Sequence, residues 1–357
     1  MKILLVRLRL IGDVVFTTPA IRALRRRFPD AHLAYLVEED AAAVVRHNPH
    51  LDEVLVVRHV RGWRRIRDDV RLARRLRQRR FDVVVDLHGG PRSSWLTWAS
   101  GAPRRVGYDV AGRAWMYTQA VHRPRELRPR HSVVNQWDLL AAVDPALAAP
   151  PDPAADRVEM VAGAEARAGA ARRLASLGVP DDARLVVVHV SAGNPFRRWP
   201  EAAFAELAAD LATGGGDRYV VVTSGPSDHE AAARVVARAR DRAGDAGARV
   251  VDAEGLTLEE MRALMDRAAV YVGGDSGPLH VAATSDVPVV GLYGPTLAVR
   301  SAPWRPASIP TISVDAGELP CRPCDQRVCA PGDYRCLTSI PAAAVRAAAE
   351  SLLEVTR

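Results

Sequence analysis

The chain has 357 residues, a length that favours two domains of roughly 150–180 residues each over a single one. Its 48% hydrophobic and 25% charged residues are ordinary for a globular protein, and sparse aromatics (5%) among many Ala, Val and Leu argue against an aromatic-rich β-sandwich. Net charge is +7, carried almost entirely by arginine with Lys2 the only lysine, and no run approaches the roughly 18 apolar residues of a membrane span.

The first apolar run, Lys2–Arg7, reads as a buried strand entering a loop at Leu8–Asp13. Arg7, Arg9 and Asp13 interrupt it, so it lacks the apolar centre of a secretory signal, and the expected location is the cytoplasm. A helix follows from about Thr17 to Phe28, with Pro19 in its first turn. His32–Val37 reads as a strand, Asp40–His47 as a short helix, Glu53–Val57 as a strand, Trp63–Arg79 as an amphipathic helix and Asp82–Asp86 as a strand. Pro145–Pro153, rich in Ala and Pro, reads as an interdomain linker, with a bridging helix at about Ala164–Leu177.

The alternation then restarts. Strands are expected at Leu185–Val190, Tyr219–Thr223, Val250–Val251, Val270–Gly273 and Val287–Leu292. Helices are expected at Glu201–Ala212, Ser227–Arg240, Leu258–Arg267 and Gly277–Thr284, with a last helix at about Pro341–Val355. Short aliphatic strands alternating with helices mean parallel sheets covered on both faces. The expected architecture is therefore α/β: two Rossmann-like doubly wound domains, residues 1–160 and 161–340, and a C-terminal helix, residues 341–357. Ligands of such sheets bind at the carboxyl ends of the strands, which for two facing domains means the cleft.

Charge is concentrated. Between Arg58 and Arg80 lie eleven arginines against only Asp68 and Asp69. This is either a solvated helix face or a surface for an anionic partner such as a phosphorylated lipid headgroup. Nucleic acid is disfavoured, because Trp63 is the only aromatic residue in the patch and no nucleic-acid-binding motif appears.

Four motifs carry chemistry. In R-L-R-L-I-G-D-V-V-F-T-T-P-A (7–20), Asp13 follows a strand and precedes a helix; it is either a general base or a helix cap. In S-A-G-N-P-F-R-R-W-P (191–200), small residues let backbone amides approach a ligand. Arg197 and Arg198 suit phosphate oxygens, or one of them is a surface charge. In Y-V-G-G-D-S-G-P-L-H-V-A-A-T (271–284), a strand ends at two glycines and a helix begins at Pro278. Its unsatisfied amides make a seat for a pyrophosphate, against the alternative of an ordinary turn with His280 in the core. The block is neither G-x-G-x-x-G nor a Walker loop, which speaks against an NAD enzyme and a P-loop NTPase. All four cysteines, Cys321, Cys324, Cys329 and Cys336, fall within 16 residues. In a reducing compartment they read as a structural Zn²⁺ site more readily than as disulfides, with free thiols or a labile disulfide as the alternative.

Together, I-G-D-V-V-x-T-T-P-A, R-R-W-P and G-G-D-S-G-P-L-H followed by G-L-Y-G-P-T resemble glycosyltransferase family 9, the ADP-heptose:lipopolysaccharide heptosyltransferases, across essentially the whole chain. The resemblance implies a GT-B fold whose N-terminal domain holds the acceptor and whose C-terminal domain holds the nucleotide sugar, and transfer by one inverting displacement. It implies Asp13 as base and Ser191, Ala192, Gly193, Arg197, Gly274, Asp275, Ser276, Gly277 and His280 at the donor. Arg61 and Arg64 in R-G-W-R-R, and Arg113 after G-Y-D, resemble arginines that meet an anionic glycolipid acceptor at the cytoplasmic face of the inner membrane. The cysteine cluster recurs in some members, which implies support of the fold. No D-x-D stands at a strand end, so no cofactor is expected for catalysis. Two competing readings are a member using another nucleotide sugar or acceptor, and a GT-B-like sugar-nucleotide epimerase.

Overall fold

The computed structural model describes residues 1–58, 62–122, 130–191, 195–324 and 328–355. They form two compact units, Met1–Val161 and Ala162–Arg357. In the first, strands β1 (Lys2–Val6), β2 (His32–Glu38), β3 (Glu53–Val57), β4 (Val83–Asp86), β5 (Arg104–Tyr108) and β6 (Gln119–Val121) alternate with helices. These are α1 (Ile11–Val15), α2 (Thr18–Arg27), α3 (Glu39–Val45), α4 (Trp63–Arg79), α5 (Pro91–Ala99) and α6 (Ser132–Val143). The sheet order is β3-β2-β1-β4-β5-β6, parallel throughout.

The second unit begins with α7 (Ala164–Ser176). Its strands are β7 (Arg184–His189), β8 (Arg218–Thr223), β9 (Val250–Asp252), β10 (Ala268–Gly274), β11 (Val289–Tyr293) and β12 (Thr311–Asp315). Its helices continue with α8 (Glu201–Thr213), α9 (His229–Ala243), α10 (Leu258–Met265), α11 (Gly277–Ala282), α12 (Ala298–Ser301), α13 (Arg335–Thr338) and α14 (Ala342–Val355). The order β12-β11-β10-β7-β8-β9 repeats that of the first unit, again all parallel. Each unit is thus a doubly wound Rossmann-like domain in which strand order reverses once, between β1 and β4 or between β7 and β10.

Burial explains the strand compositions. From Ile3 to Val6, and along all of β4, the side chains are buried, as aliphatic strands covered by helices on both faces must be. Helix α4 shows the complementary logic. Leu72, Ala73 and Leu76 lie at helical spacing and pack with Leu4, Leu36 and Val84, while arginines occupy the outer face. In the second unit Val345, Ala349, Leu352 and Leu353 of α14 join the core built on β7, β8 and β10. The last helix is therefore an integral layer of that unit.

Two local expectations differ. Residues 145–153 are not a linker but part of the first unit, because neighbouring acids are pinned to α2: Arg26 bonds Asp156 at 2.6 Å and Arg27 bonds Asp144 at 2.7 Å. The segment expected as a loop up to Asp13 instead enters a single helical turn, α1, from Ile11.

Candidate active site

The motifs converge on the switch points. β1 ends at Val6, and residues 7–10 lead into α1. Asp13 lies in the first turn of α1, yet no side chain caps that helix, whose N-cap residue is Leu10. The Asp13 carboxylate instead pairs with Arg7 Nη2 at 2.5 Å and stays 38% exposed. Arg7 is fixed in turn, because Nη1 donates to the Leu87 carbonyl (2.7 Å) and Nε to the Arg9 carbonyl (3.1 Å). The guanidinium therefore staples the β1 loop to the loop after β4 and sets the direction of the carboxylate. Thr17 and Thr18 fasten the remainder of the motif, donating to the Val14 and Val15 carbonyls at 2.7 Å.

The β4 loop, D-L-H-G-G-P-R-S (86–93), is a part of the site that the motif reading missed. Asp86 is fully buried. Its Oδ1 accepts from the amides of His88 and Gly89 (2.9 Å each), and its Oδ2 accepts from Ser93 Oγ (3.0 Å) and Tyr117 OH (2.7 Å). A carboxylate so fully satisfied is a scaffold for the loop. It presents His88, whose Nδ1 accepts from the Leu8 amide at 3.3 Å. Burial, then the charge of Arg7, holds the imidazole below its ordinary value, against the opposing pull of Asp86. The neutral ring with an accepting Nδ1 carries its proton on Nε2 and offers a donor there. A signal was present in the sequence: H-G-G-P-R-S after a strand parallels G-G-D-S-G-P after β10, with paired glycines and a proline at the helix start.

In the second unit, Ser191 follows β7, is buried, and accepts from the Gly225 amide at 2.7 Å. Ala192 and Gly193 lie outside the described residues. Beyond them Trp199 anchors the segment, donating from Nε1 to the Ile340 carbonyl (3.0 Å) and meeting Phe204 edge-on. The two arginines separate. Arg198 pairs with Asp228. Arg197 has no acidic partner among the described residues, and its Nε is buried without a hydrogen-bond partner. The Arg197 carbonyl lies 3.7 Å from where a Cβ on Gly274 would stand, so this segment passes over the end of β10.

There the chain turns through Asp275 and Ser276 into α11. Asp275 is nearly buried, with His280 Nε2 3.5 Å from its Oδ1 and Thr296 Oγ1 donating to its Oδ2. Burial opposes its charge, but the facing His280 ring and the hydrogen bond from Thr296 outweigh that and hold the carboxyl below the usual range. Asp275 and His280 brace the turn from within. The Ser276 hydroxyl is buried with no partner among the described residues.

Of the expected acceptor arginines, Arg61 lies outside the described residues. Arg64 is exposed in the first turn of α4, with no acidic partner among the described residues. Arg113 reaches the β4 loop, donating to the Gly89 carbonyl at 3.1 Å.

The four cysteines are free thiols lining one cavity of about 280 Å³, shared with Phe196, Pro295 and Tyr334. Burial raises the Cys336 thiol, and Cys321 and Cys329 add to this, so the sulfurs feel one another. Among the described residues no three Cys, His, Asp or Glu side chains gather closely enough to hold a metal ion. What the segment visibly does is buttress: Cys324 N–H donates to the Pro295 carbonyl (2.8 Å), and Arg322 reaches the carbonyls of Tyr293 and Thr296.

Comparison with known proteins agrees with this arrangement. A family model described as glycosyltransferase family 9 (heptosyltransferase) matches residues 70–334. A lipopolysaccharide heptosyltransferase 3 of Escherichia coli is 27% identical, over 97% of this chain and 97% of that one. A lipopolysaccharide heptosyltransferase 1 of Pseudomonas aeruginosa is 28% identical, over 92% of this chain and 87% of its own. The crystal structure of a family 9 glycosyl transferase from Veillonella parvula DSM 2008 matches with a TM-score of 0.84 at 26% identity, covering 99% of this chain and 97% of that one. With well over half its length matched by that model and both its domains doubly wound, the chain belongs to glycosyltransferase family 9, the heptosyltransferases, and is a glycosyltransferase.

Proposed function

We propose that the chain transfers a heptose from ADP-heptose to an anionic inner-core lipopolysaccharide acceptor, inverting the anomeric carbon, with Asp13 as general base. The observation that carries this reading is the state of Asp13: a partly exposed carboxylate in the helical turn after β1, aimed by Arg7 and not spent on capping its helix. As the acceptor oxygen bonds to the anomeric carbon, its proton passes to Asp13 and the bond from that carbon to the β-phosphate oxygen breaks, releasing ADP. Charge developing on the diphosphate is met by Arg197, by the amides after β7 and by the turn Gly274–Gly277, with Ser276 Oγ as a further donor. Asp275 and His280 shape that turn from behind. Arg61, Arg64 and Arg113 are the proposed contacts to the acceptor.

The test is a donor screen for nucleoside-diphosphate release, with and without lipid-A core acceptors, comparing wild type with Asp13→Ala. Release that requires both ADP-heptose and acceptor, lost in Asp13→Ala with ADP binding kept, is the expected result. Release from another nucleotide sugar would move the donor assignment, and an epimerised nucleotide sugar without acceptor would identify an epimerase. Transfer is proposed to need no metal; activity lost in EDTA and restored by Mg²⁺ would refute that.

Two further parts of the reading are separable. The arginine face of α4, with Trp63 86% exposed at its start, suits peripheral contact with the anionic cytoplasmic face of the inner membrane. No helix among the described residues is long and apolar enough to cross a membrane. Co-flotation with phosphatidylglycerol vesicles, lost at high salt, is expected. A structural Zn²⁺ on the four cysteines requires the thiols to converge further than the cavity now brings them. Metal analysis of protein purified without chelator decides this: one zinc per chain supports it, and its absence removes zinc from the reading.

A further inference from the structure

The cavity lined by the four cysteines adjoins both segments assigned to the donor, and all of them belong to the second unit. Phe196 in its wall is followed directly by Arg197, and Pro295 in its wall by Thr296, which donates to Asp275. The cysteine segment also holds these neighbours in place. Helix α13 carries Cys336 and sets Leu337 against Gly294, 2.5 Å from where a Cβ on that glycine would stand. Just beyond, the Ile340 carbonyl receives the indole N–H of Trp199. Cys324 N–H donates to the Pro295 carbonyl (2.8 Å), and Arg322 Nη2 donates to the carbonyls of Tyr293 (3.3 Å) and Thr296 (3.1 Å). A displacement of the thiols is therefore passed on to the chain beneath Arg197 and to the turn Gly274–Gly277.

Each thiol is free and partly exposed, so a small molecule reaches it. Cys336 is central: Cys321 and Cys329 both act on its sulfur, and the same two act on the neighbouring Arg335. Zinc would need all four thiols to converge, whereas a disulfide asks only two of them to meet. A closed disulfide holds its Cα atoms roughly 4.4–6.8 Å apart, and the resulting pull falls on the bonds just named.

We infer that Cys336 is a thiol–disulfide exchange site, which forms a reversible bridge with Cys321 or Cys329 across this cavity and thereby loosens the donor segments. The oxidant is a low-molecular-weight disulfide, RSSR. One protein thiol, giving up its proton, attacks RSSR; the S–S bond breaks and RSH leaves. The second protein thiol then gives up its proton and displaces the mixed disulfide, releasing a second RSH. Two protein thiols have lost two electrons and two protons, and RSSR has gained them. Disulfides of this reversible kind are the ones found in reducing compartments. That the loosened segments bind ADP rests on the donor assignment above; the bridge itself does not.

The experiment uses the full chain, purified with dithiothreitol and without chelator, assayed for zinc and then equilibrated with oxidised and reduced glutathione. The oxidised chain should lose two of its four thiols, and peptide mapping should find Cys336 in the bridge. ADP should then bind about tenfold more weakly by calorimetry, and dithiothreitol should restore it. By linkage, saturating ADP should oppose the bridge by the same factor, about 30 mV in the midpoint of this two-electron couple. Cys336→Ala keeps an apolar contact with the core and should bind ADP as the reduced wild type does, indifferent to glutathione. One of Cys321→Ser and Cys329→Ser should behave likewise and so name the partner. Without ADP, amide exchange in residues 196–199 and 274–280 should speed up on oxidation in wild type and stay unchanged in Cys336→Ala. A bound zinc that blocks exchange, a bridge that omits Cys336, or a bridge that leaves both ADP affinity and amide exchange unmoved overturns the inference. If neither form binds ADP while those segments still respond to oxidation, the switch stands and the donor assignment falls.

Discussion

At Asp13 the decisive neighbour is Arg7, six residues earlier and across the turn. The pairing at 2.5 Å and the bond from Arg7 to the Leu87 carbonyl fix the carboxylate in one direction. Arg7→Ala should therefore lower kcat by about tenfold to a hundredfold, because a base displaced by an ångström loses much of its effect. Donor affinity should stay unchanged in the same variant, and steady-state kinetics with ADP titration separates the two. A different residue governs response to acid. His189, buried at the end of β7 and 3.0 Å from Thr223 Oγ1, is pushed down by burial to about 4. Its folded value lies below its unfolded one, so between about pH 6.5 and 4 the unfolded chain binds more protons. Its contribution is complete above pH 6.5 and lost as pH falls toward 4, by up to about 3 kcal/mol. Urea midpoints at pH 7 and pH 4.5 should fall further apart in wild type than in His189→Gln.

At the scale of elements, α4 separates packing from charge. Leu76 is buried against the sheet, whereas Arg75 is exposed. Leu76→Ala should cost about 2–5 kcal/mol in thermal or urea unfolding, and Arg75→Ala within about 0.5 kcal/mol. The same contrast explains what could be read beforehand. Strands such as β1 and helices such as α4 announce themselves because burial on both faces or on one stripe dictates their pattern. β5 (R-R-V-G-Y), β6 (Q-A-V) and β12 (T-I-S-V-D) did not, since strands toward a sheet edge need few apolar residues and β12 hides only alternate ones. Within the site, the doubly wound order and the β1, β7 and β10 loops were legible from aliphatic runs ending in small residues. The choice between Arg197 and Arg198 was not, because it depends on Asp228, which lies thirty residues further on and is brought in only by folding. Nor was Asp86 readable as a hub: its partner Tyr117 comes from the far side of β5, where a Cβ on Gly107 would stand 2.3 Å from the Tyr117 ring.

At the scale of the molecule, one strand order occurs twice with different loops upon it. In the first unit the switch-point loops carry a carboxylate with its guanidinium, and a histidine beside an arginine-lined cavity. In the second they carry an arginine without an acidic partner among the described residues and a glycine-rich turn braced from behind by Asp275, Thr296 and His280. The proposed function divides the labour between these loops, with proton acceptance assigned to one domain and diphosphate recognition to the other. That division has a measurable consequence in the intact chain. ADP should slow amide hydrogen exchange in the segments after β7 and β10, because those amides would donate to the diphosphate or be held by segments that do. A sugar carboxylate should act instead on the loops after β1 and β4, which Asp86 and Arg7 already tie together. The two patterns should also add when both ligands are present. If ADP alone protected the loop around Asp13 and left 274–280 unchanged, the assignment of donor and acceptor to the two domains would have to be reversed.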